Sequence, residues 1–438
     1  MPLLAGFFRS DITPREPCFL VGYPHVARIS TGTNDPLYAS ALCLDHGSTT
    51  LLLISLDVLF IAADWTHDCR ARITAATGIP GEHILIAATH THSGPHTVEV
   101  MAWRDDPVVP PVDPGYLEFA CAETTAAAIR AWRTRESAAV AWTRADVRGL
   151  AGGNRIDPDG PEDPEAGMLF VRKTADDTPL AVLVVYGMHP TVLHADSSRF
   201  SSDFIGYVRC RIEEAFPGVG VVYLNGVCGN QSPRRVAREK TFAEAKRLGR
   251  ALGGRMAAEL AAVGGFSSEP ELGAASATVR LEGRTFPPVH EAGEALAAAR
   301  ACMAELQAVG ADAVRVRTAE CAVFGAEEVL TLAKAEAAGD ADDLRRKYAV
   351  VETQVMRIGD VMLAAWPGEF FVEHGLAAKA RAGRTLHITT LANGELQGYV
   401  VTPEAAAAGG YEAQMSLFPP DAGPRMVDAT LELTQRLR

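Results

Sequence analysis

Basic residues are in the minority in this 438-residue sequence, where 41 lysines and arginines face 54 aspartates and glutamates for a formal net charge of −13. That balance excludes the broad basic footprint of a nucleic-acid binder, so no nucleic-acid partner is expected. No apolar stretch reaches membrane-spanning length, and the N-terminal MPLLAGFFRSDITP lacks a positive region followed by a sustained apolar one. Neither a transmembrane segment nor a secretory leader is expected, which makes the cytoplasm the expected compartment. The eight cysteines contain no CxxC pair, so neither a thiolate zinc site nor a disulfide framework is suggested. Histidine is scarce as well, with 12 in the chain, so any local cluster of them needs a reason.

What is present reads as a globular enzyme. Hydrophobic residues make up 48% and charged residues 22%, and the length exceeds what one core usually supports, so one large or two fused α/β lobes are expected over 1–438. TTLLLISLDVLF, HILIAATHTH, PLAVLVVYGMHPTVLH and GVGVVYLNGVCGNQSP are continuous apolar runs of the kind buried on both faces of a sheet. They alternate with helical patterns such as YLEFACAETTAAAIRAW, which gives the fold class: α/β, with mixed central sheets and flanking helices. An Ala- and Glu-rich stretch at about 287–348 reads as a helical hairpin insertion, a cap or packing arm without candidate ligands. VVETQVMRIGDVMLAAWPGEFF reads as a β-hairpin turning at Gly359-Asp360, and PEAAAAGGYEAQ as a mobile loop.

The polar residues fall where the apolar runs end, which in α/β sheets is where chemistry collects. AATHTHSGPHT carries His90 and His92 two residues apart, and on a regular strand both would point to one face. A metal site and a satisfied polar turn fit that pair about equally. His189 follows another apolar run, and Glu369 in WPGEFF closes a third. Two imidazoles and a carboxylate, with a position left for water, make a catalytic zinc set by ligand type.

In collinear order, AGFFRSDITP, NDPLYASALCLDHG, IAATHTHSGP, GGNRI, GMHPTVL, SSDFIGYVR, NGVCGNQSP, PGE and LANGELQGYVVTPEAAAAGGYE resemble the neutral ceramidase family along nearly the whole chain. The resemblance implies that His90, His189, Glu369 and Tyr399 bind Zn2+. It further implies that His92 and Tyr411 line the site and polarise the scissile amide, with Arg155 near the substrate carbonyl and Ser232 beside the zinc. The implied reaction is hydrolysis by metal-activated water, with His92 moving a proton and Arg155 and Tyr411 donating to the developing oxyanion. Asp203 is the expected orienter of a ligand histidine.

The chain departs from the family pattern at Asn34, at Asn230 in place of an aspartate and at Arg234 in place of an asparagine. It also stops at Arg438, before the immunoglobulin-like domain of the secreted members. A small soluble acyl amide is therefore the expected substrate, ahead of membrane ceramide. An esterase or lactonase on the same zinc site and a non-catalytic binding protein with a vestigial site are the competing readings. Plainer roles also stand beside the catalytic ones. His96 and His194 are expected to fill loop hydrogen bonds, Cys228 to be a buried thiol, Ser232 to cap a helix starting at Pro233, and SPRRVAREK to be a solvated helix start.

Overall fold

The computed structural model describes residues 2–23 and 26–438. Its first half runs β1 (Leu4–Asp11), β2 (Tyr38–His46), β3 (Thr49–Leu56), α1 (Ala63–Thr77), β4 (Ile84–Ala88), α2 (Pro114–Arg133), β5 (Glu136–Asp146), β6 (Gly153–Asn154), β7 (Glu165–Lys173), β8 (Pro179–Tyr186), α3 (Phe204–Ala215), β9 (Gly220–Asn225), β10 (Gln231–Ser232) and α4 (Phe242–Ala262). The second half adds β11 (Leu272–Arg280), α5 (Val289–Ala308), α6 (Ala313–Ala338), α7 (Ala341–Tyr348), β12 (Val350–Ile358), β13 (Val361–Ala365), β14 (Glu369–Phe370), α8 (Val372–Arg381), β15 (Leu386–Thr389), β16 (Tyr399–Val400), α9 (Pro403–Ala408), α10 (Tyr411–Met415) and α11 (Ala422–Arg436).

Eight strands pair in the order β4-β3-β2-β1-β5-β7-β8-β9. Only two register pairs, Leu4 with Ser137 and Ala5 with Glu136, join β1 to β5. At that short junction the sheet folds over, so β9 packs on β2, β3 and β4 and the two halves face each other. The halves repeat one plan: three antiparallel strands, a helix, then a fourth strand parallel to the third. Residues alternate between two buried faces, which is why the runs are apolar throughout. Leu51 and Leu53 of β3 meet Leu183 and Leu224 in the shared interior, whereas Leu52 and Ile54 pack under α1 and α2. Val182, Val184, Val221 and Tyr223 pack in the same way under α3 and α4. The body is thus four layers, helix–sheet–sheet–helix, and the expected mixed α/β architecture holds.

A four-stranded sheet, β11-β12-β13-β15, adds Met356, Ile358, Leu363 and Ala365 to the shared interior. The β12–β13 turn at Gly359-Asp360 is the expected hairpin. The 287–348 stretch forms three helices rather than two, with α5 and α6 paired and α7 returning the chain to β12. PEAAAAGGYEAQ is not a loop: it forms α9 and α10, separated by Gly409 and Gly410, both at positive φ. The Thr402 hydroxyl caps α9 by accepting from the Ala405 amide, which supplies the start signal for that helix. Among the described residues, no helix is long and apolar enough to cross a membrane.

Candidate metal centre and cleft

His90 and His92 lie past the end of β4, not on it. Their side chains still converge, because His90 adopts the left-handed region at φ 70° and its amide donates to the Val58 carbonyl at 3.0 Å. Beneath this turn, Thr89 Oγ1 donates to Asp57 Oδ1 at 3.1 Å, and Asp57 is held by both guanidinium nitrogens of Arg209 at 2.9 and 2.6 Å. A buried ion pair at the end of β3 therefore anchors the backbone beside His90. On the other half-sheet, His189 follows β8 by three residues, and its amide donates to the Gln231 carbonyl at 3.1 Å.

Each imidazole donates from Nδ1 to a backbone carbonyl. His90 reaches Leu59 at 3.0 Å, His92 reaches Gly22 at 2.9 Å and His189 reaches Cys228 at 2.7 Å. A carbonyl can only accept, so the proton sits on Nδ1 and each Nε2 lone pair is left for the centre. Among the described residues, Nε2 of His90 and of His92 is buried without a hydrogen-bond partner, and the ligating atoms of His90, His92 and His189 lie within 4.8 Å of one another. The expected role for Asp203 is corrected here: its carboxylate accepts from the Leu193 and Phe204 amides at 2.8 and 2.6 Å. It shapes the loop after His189 and caps α3 instead of orienting a ring.

Glu369 enters from β14, whose parallel pairing with β16 sets Glu369 opposite Tyr399. Gly229 lets this strand approach: its amide donates to the Phe370 carbonyl at 2.8 Å, and a Cβ there would stand 2.6 Å from that oxygen. Asn230 adds a second tie, accepting from the Val372 amide at 2.9 Å and donating to Glu373. Glu369 Oε2 lies 2.9 Å from His189 Nε2 and 3.4 Å from His90 Nε2. With the ring protons committed to carbonyls, lone pairs face a carboxylate oxygen, an arrangement that a cation at their meeting point relieves. Burial pushes His92 well below the ordinary imidazole value and His189 down to about 4, so both rings are neutral, as ligation requires. The donor set fits a divalent ion of the zinc type.

A cleft of about 560 Å³ opens onto this centre and is lined by His92, Arg155, His189, Ser232, Tyr399 and Tyr411, among others. His90, Glu369, Tyr399 and Tyr411 border a smaller cavity of about 70 Å³ next to it. The eight residues to which the resemblance gives metal or catalytic roles line either the cleft or this smaller cavity. Arg155 sits where β6 pairs with β10, its Nε donating to Glu412 at 2.7 Å and its guanidinium 5.2 Å from the Tyr399 ring centre. The Tyr411 ring stands 5.9 Å from that of Tyr399. Ser232 Oγ accepts from the Arg234 amide at 3.3 Å and caps a single 3-10 turn, Pro233–Arg235. The long helix starts later, at Phe242, capped by Thr241, so the basic SPRR segment is cleft wall instead of helix surface. His96 fills loop hydrogen bonds to the Pro110 and Val98 carbonyls, as its plain reading had it, whereas His194 stacks on Tyr23 in the cleft wall. Cys228 is a buried free thiol whose useful atom is its carbonyl.

Several wall residues carried no sequence signal. Glu328 of α6 borders the smaller cavity with Trp103, whose Nε1 donates to it at 3.1 Å. Arg317 and Cys321, also on α6, line the main cleft, so the helical insertion contributes side chains as well as cover.

No family model and no curated protein sequence matches the chain. Two solved structures are similar over all of it: a ceramidase complexed with C2, at 18% identity and TM-score 0.77 over 75% of that chain, and neutral ceramidase from Pseudomonas aeruginosa, at 19% identity and TM-score 0.77 over 74% of that chain. The chain has the fold of those proteins.

Proposed function

We propose that this chain, built on the neutral ceramidase fold, is a zinc-dependent hydrolase that cleaves the carbon–nitrogen bond of a small acyl amide. The observation that carries the reading is the clustering of the His90, His92 and His189 ring nitrogens within 4.8 Å of one another, with the Glu369 carboxylate against His90 and His189, beside an open cleft. His90, His189, Glu369 and Tyr399 would hold the ion, which would supply Lewis acidity at the reacting carbonyl. His92 keeps its Nδ1 proton on the Gly22 carbonyl and offers Nε2 to take a proton from the attacking water and return it to the departing nitrogen. Arg155, fixed by Glu412 and raised well above its ordinary value, stays cationic although buried, because Tyr399 and Glu412 outweigh the burial that would lower it. With the Tyr411 hydroxyl it donates to the oxygen on which charge develops. Ser232 borders the same cleft, and its hydroxyl, which accepts from the Arg234 amide, positions the acyl group.

The test is metal content by plasma mass spectrometry together with turnover of N-acyl amides. Native protein should carry about one zinc per chain, while His90→Ala and Glu369→Ala lose both metal and turnover. His92→Ala should keep the metal and lose on the order of a hundredfold or more in kcat. Metal retained in both ligand variants would sink the assignment, and metal lost from His92→Ala would make His92 a ligand.

A further inference from the structure

The chain is acidic as a whole, yet the cleft leading to the centre is lined by Arg155, Arg234, Arg235, Arg238, Lys240 and Arg317 against only two carboxylates, Glu239 and Glu412. One of those carboxylates, Glu412, is taken by Arg155. Arg235 spends its donors on the carbonyls of Asn154, Arg155 and Ile156. Arg234 has no ion pair among the described residues, and its Nη2 faces Cys321 Sγ at 3.9 Å. Arg317 stands one helical turn before Cys321 on α6 and lines the same cleft, so two separate elements supply guanidinium groups to one wall. Among the described residues Arg317 pairs with Glu320, three residues on, and its guanidinium lies 5.8 Å from the Phe324 ring centre. His194 feels this field from the wall. It is pushed down to about 3, by burial first and then by Lys240, Arg317, Arg234 and Arg28.

Guanidinium groups gathered with too few carboxylates repel one another unless an anion joins them, and their planar forks suit carboxylate, sulfonate and phosphate oxygens. We propose that Arg234 and Arg317 form an oxyanion-binding subsite at the outer part of the cleft, and that the substrate is an acyl amide bearing an anionic group. This rests on the hydrolase reading for the amide but not for the anion. Charge-assisted pairing of this kind is worth on the order of tenfold in affinity or more.

The experiment uses the zinc-loaded full chain. N-hexanoylglycine, N-hexanoyltaurine and N-hexanoyl phosphoethanolamine are compared with neutral N-hexanoylglycinamide in turnover. Their ketomethylene analogues, with CH2 in place of the amide N–H, are compared in titration calorimetry. At least one anionic compound should exceed the neutral one on the order of tenfold in kcat/KM, chiefly through KM, and in affinity. Which of the three leads identifies the anion. Arg234→Met and Arg317→Met, checked for folding by thermal melting, should each erase most of that ratio. Equal treatment of anionic and neutral compounds by the native protein, or a ratio unchanged in both variants, overturns the subsite. Anion-selective binding without turnover of any amide would instead remove the hydrolase reading and leave the subsite standing.

Discussion

Glu328 is a buried carboxyl group: at 1% exposure its strongest influence is burial, which lifts it from 4.5 to about 8. A carboxyl raised in the folded state makes its full contribution below about 4.5, loses it as pH climbs toward 8, and changes nothing further above that. Glu328→Gln keeps an oxygen for the Trp103 indole and removes the titration. In metal-stripped protein the variant should therefore gain on native chain by on the order of a kcal/mol per pH unit between those values. Urea denaturation at pH 4.5, 6 and 8 reads this directly, and parallel curves for the two proteins would refute it. Gly22 offers a second test at this scale. At φ 111° it leaves no room beside His92, because a Cβ would lie 2.5 Å from the imidazole Nδ1. Gly22→Ala should displace the ring and reduce kcat on the order of a hundredfold while zinc content stays unchanged. The sequence exposed the centre unevenly for a physical reason. His90, His189 and Glu369 stood out because polar residues close apolar runs, whereas Glu328 lies in an Ala- and Glu-rich helix where glutamate normally faces solvent.

Between the strands, the ends matter more than the lengths. The runs that became β3, β4, β8 and β9 were legible because both faces are buried, but the turns after them were not. An HxH spacing reads as strand periodicity, yet the rings converge through one left-handed residue and a set of tertiary hydrogen bonds, which no local pattern encodes. Asp203 misled for the same reason: a buried carboxylate near a ligand looks like its orienter, but two backbone amides had the prior claim. The helices at 403–415 hid behind two glycines that read as flexibility and serve as the break between them. The element most exposed to a single change is the β3–α3 junction. Removing Arg209 strands the Asp57 carboxylate at 0% exposure, so Arg209→Met should cost about 3–5 kcal/mol. A urea midpoint that falls with unchanged slope would confirm the loss, and an unmoved midpoint would contradict it.

Over the molecule as a whole, charge is distributed against its own average. Fifty-four acidic residues outnumber 41 basic ones, yet the cleft mouth is cationic. Long-range attraction of an anionic substrate into that mouth weakens with salt, because the Debye length shrinks from about 30 Å at 0.01 M to about 3 Å at 1 M. The KM for N-hexanoylglycine should rise several-fold over that range while that for N-hexanoylglycinamide stays flat, and identical salt profiles would count against steering. The four-layer body was legible as α/β from its alternating runs. The repeated plan of the two halves was not, because it lies in strand order and a parallel crossover that leave no repeated motif in the sequence.

The three imidazoles are aimed by the carbonyls of Leu59, Gly22 and Cys228. A carbonyl belongs to the path of the chain and not to the side chain that happens to occupy it. Drift at such a position can exchange one residue type for another and leave the acceptor where it was, so long as the turn survives. Imidazole positions written into backbone are inherited with the fold itself, so they can outlast most of the side chains around them.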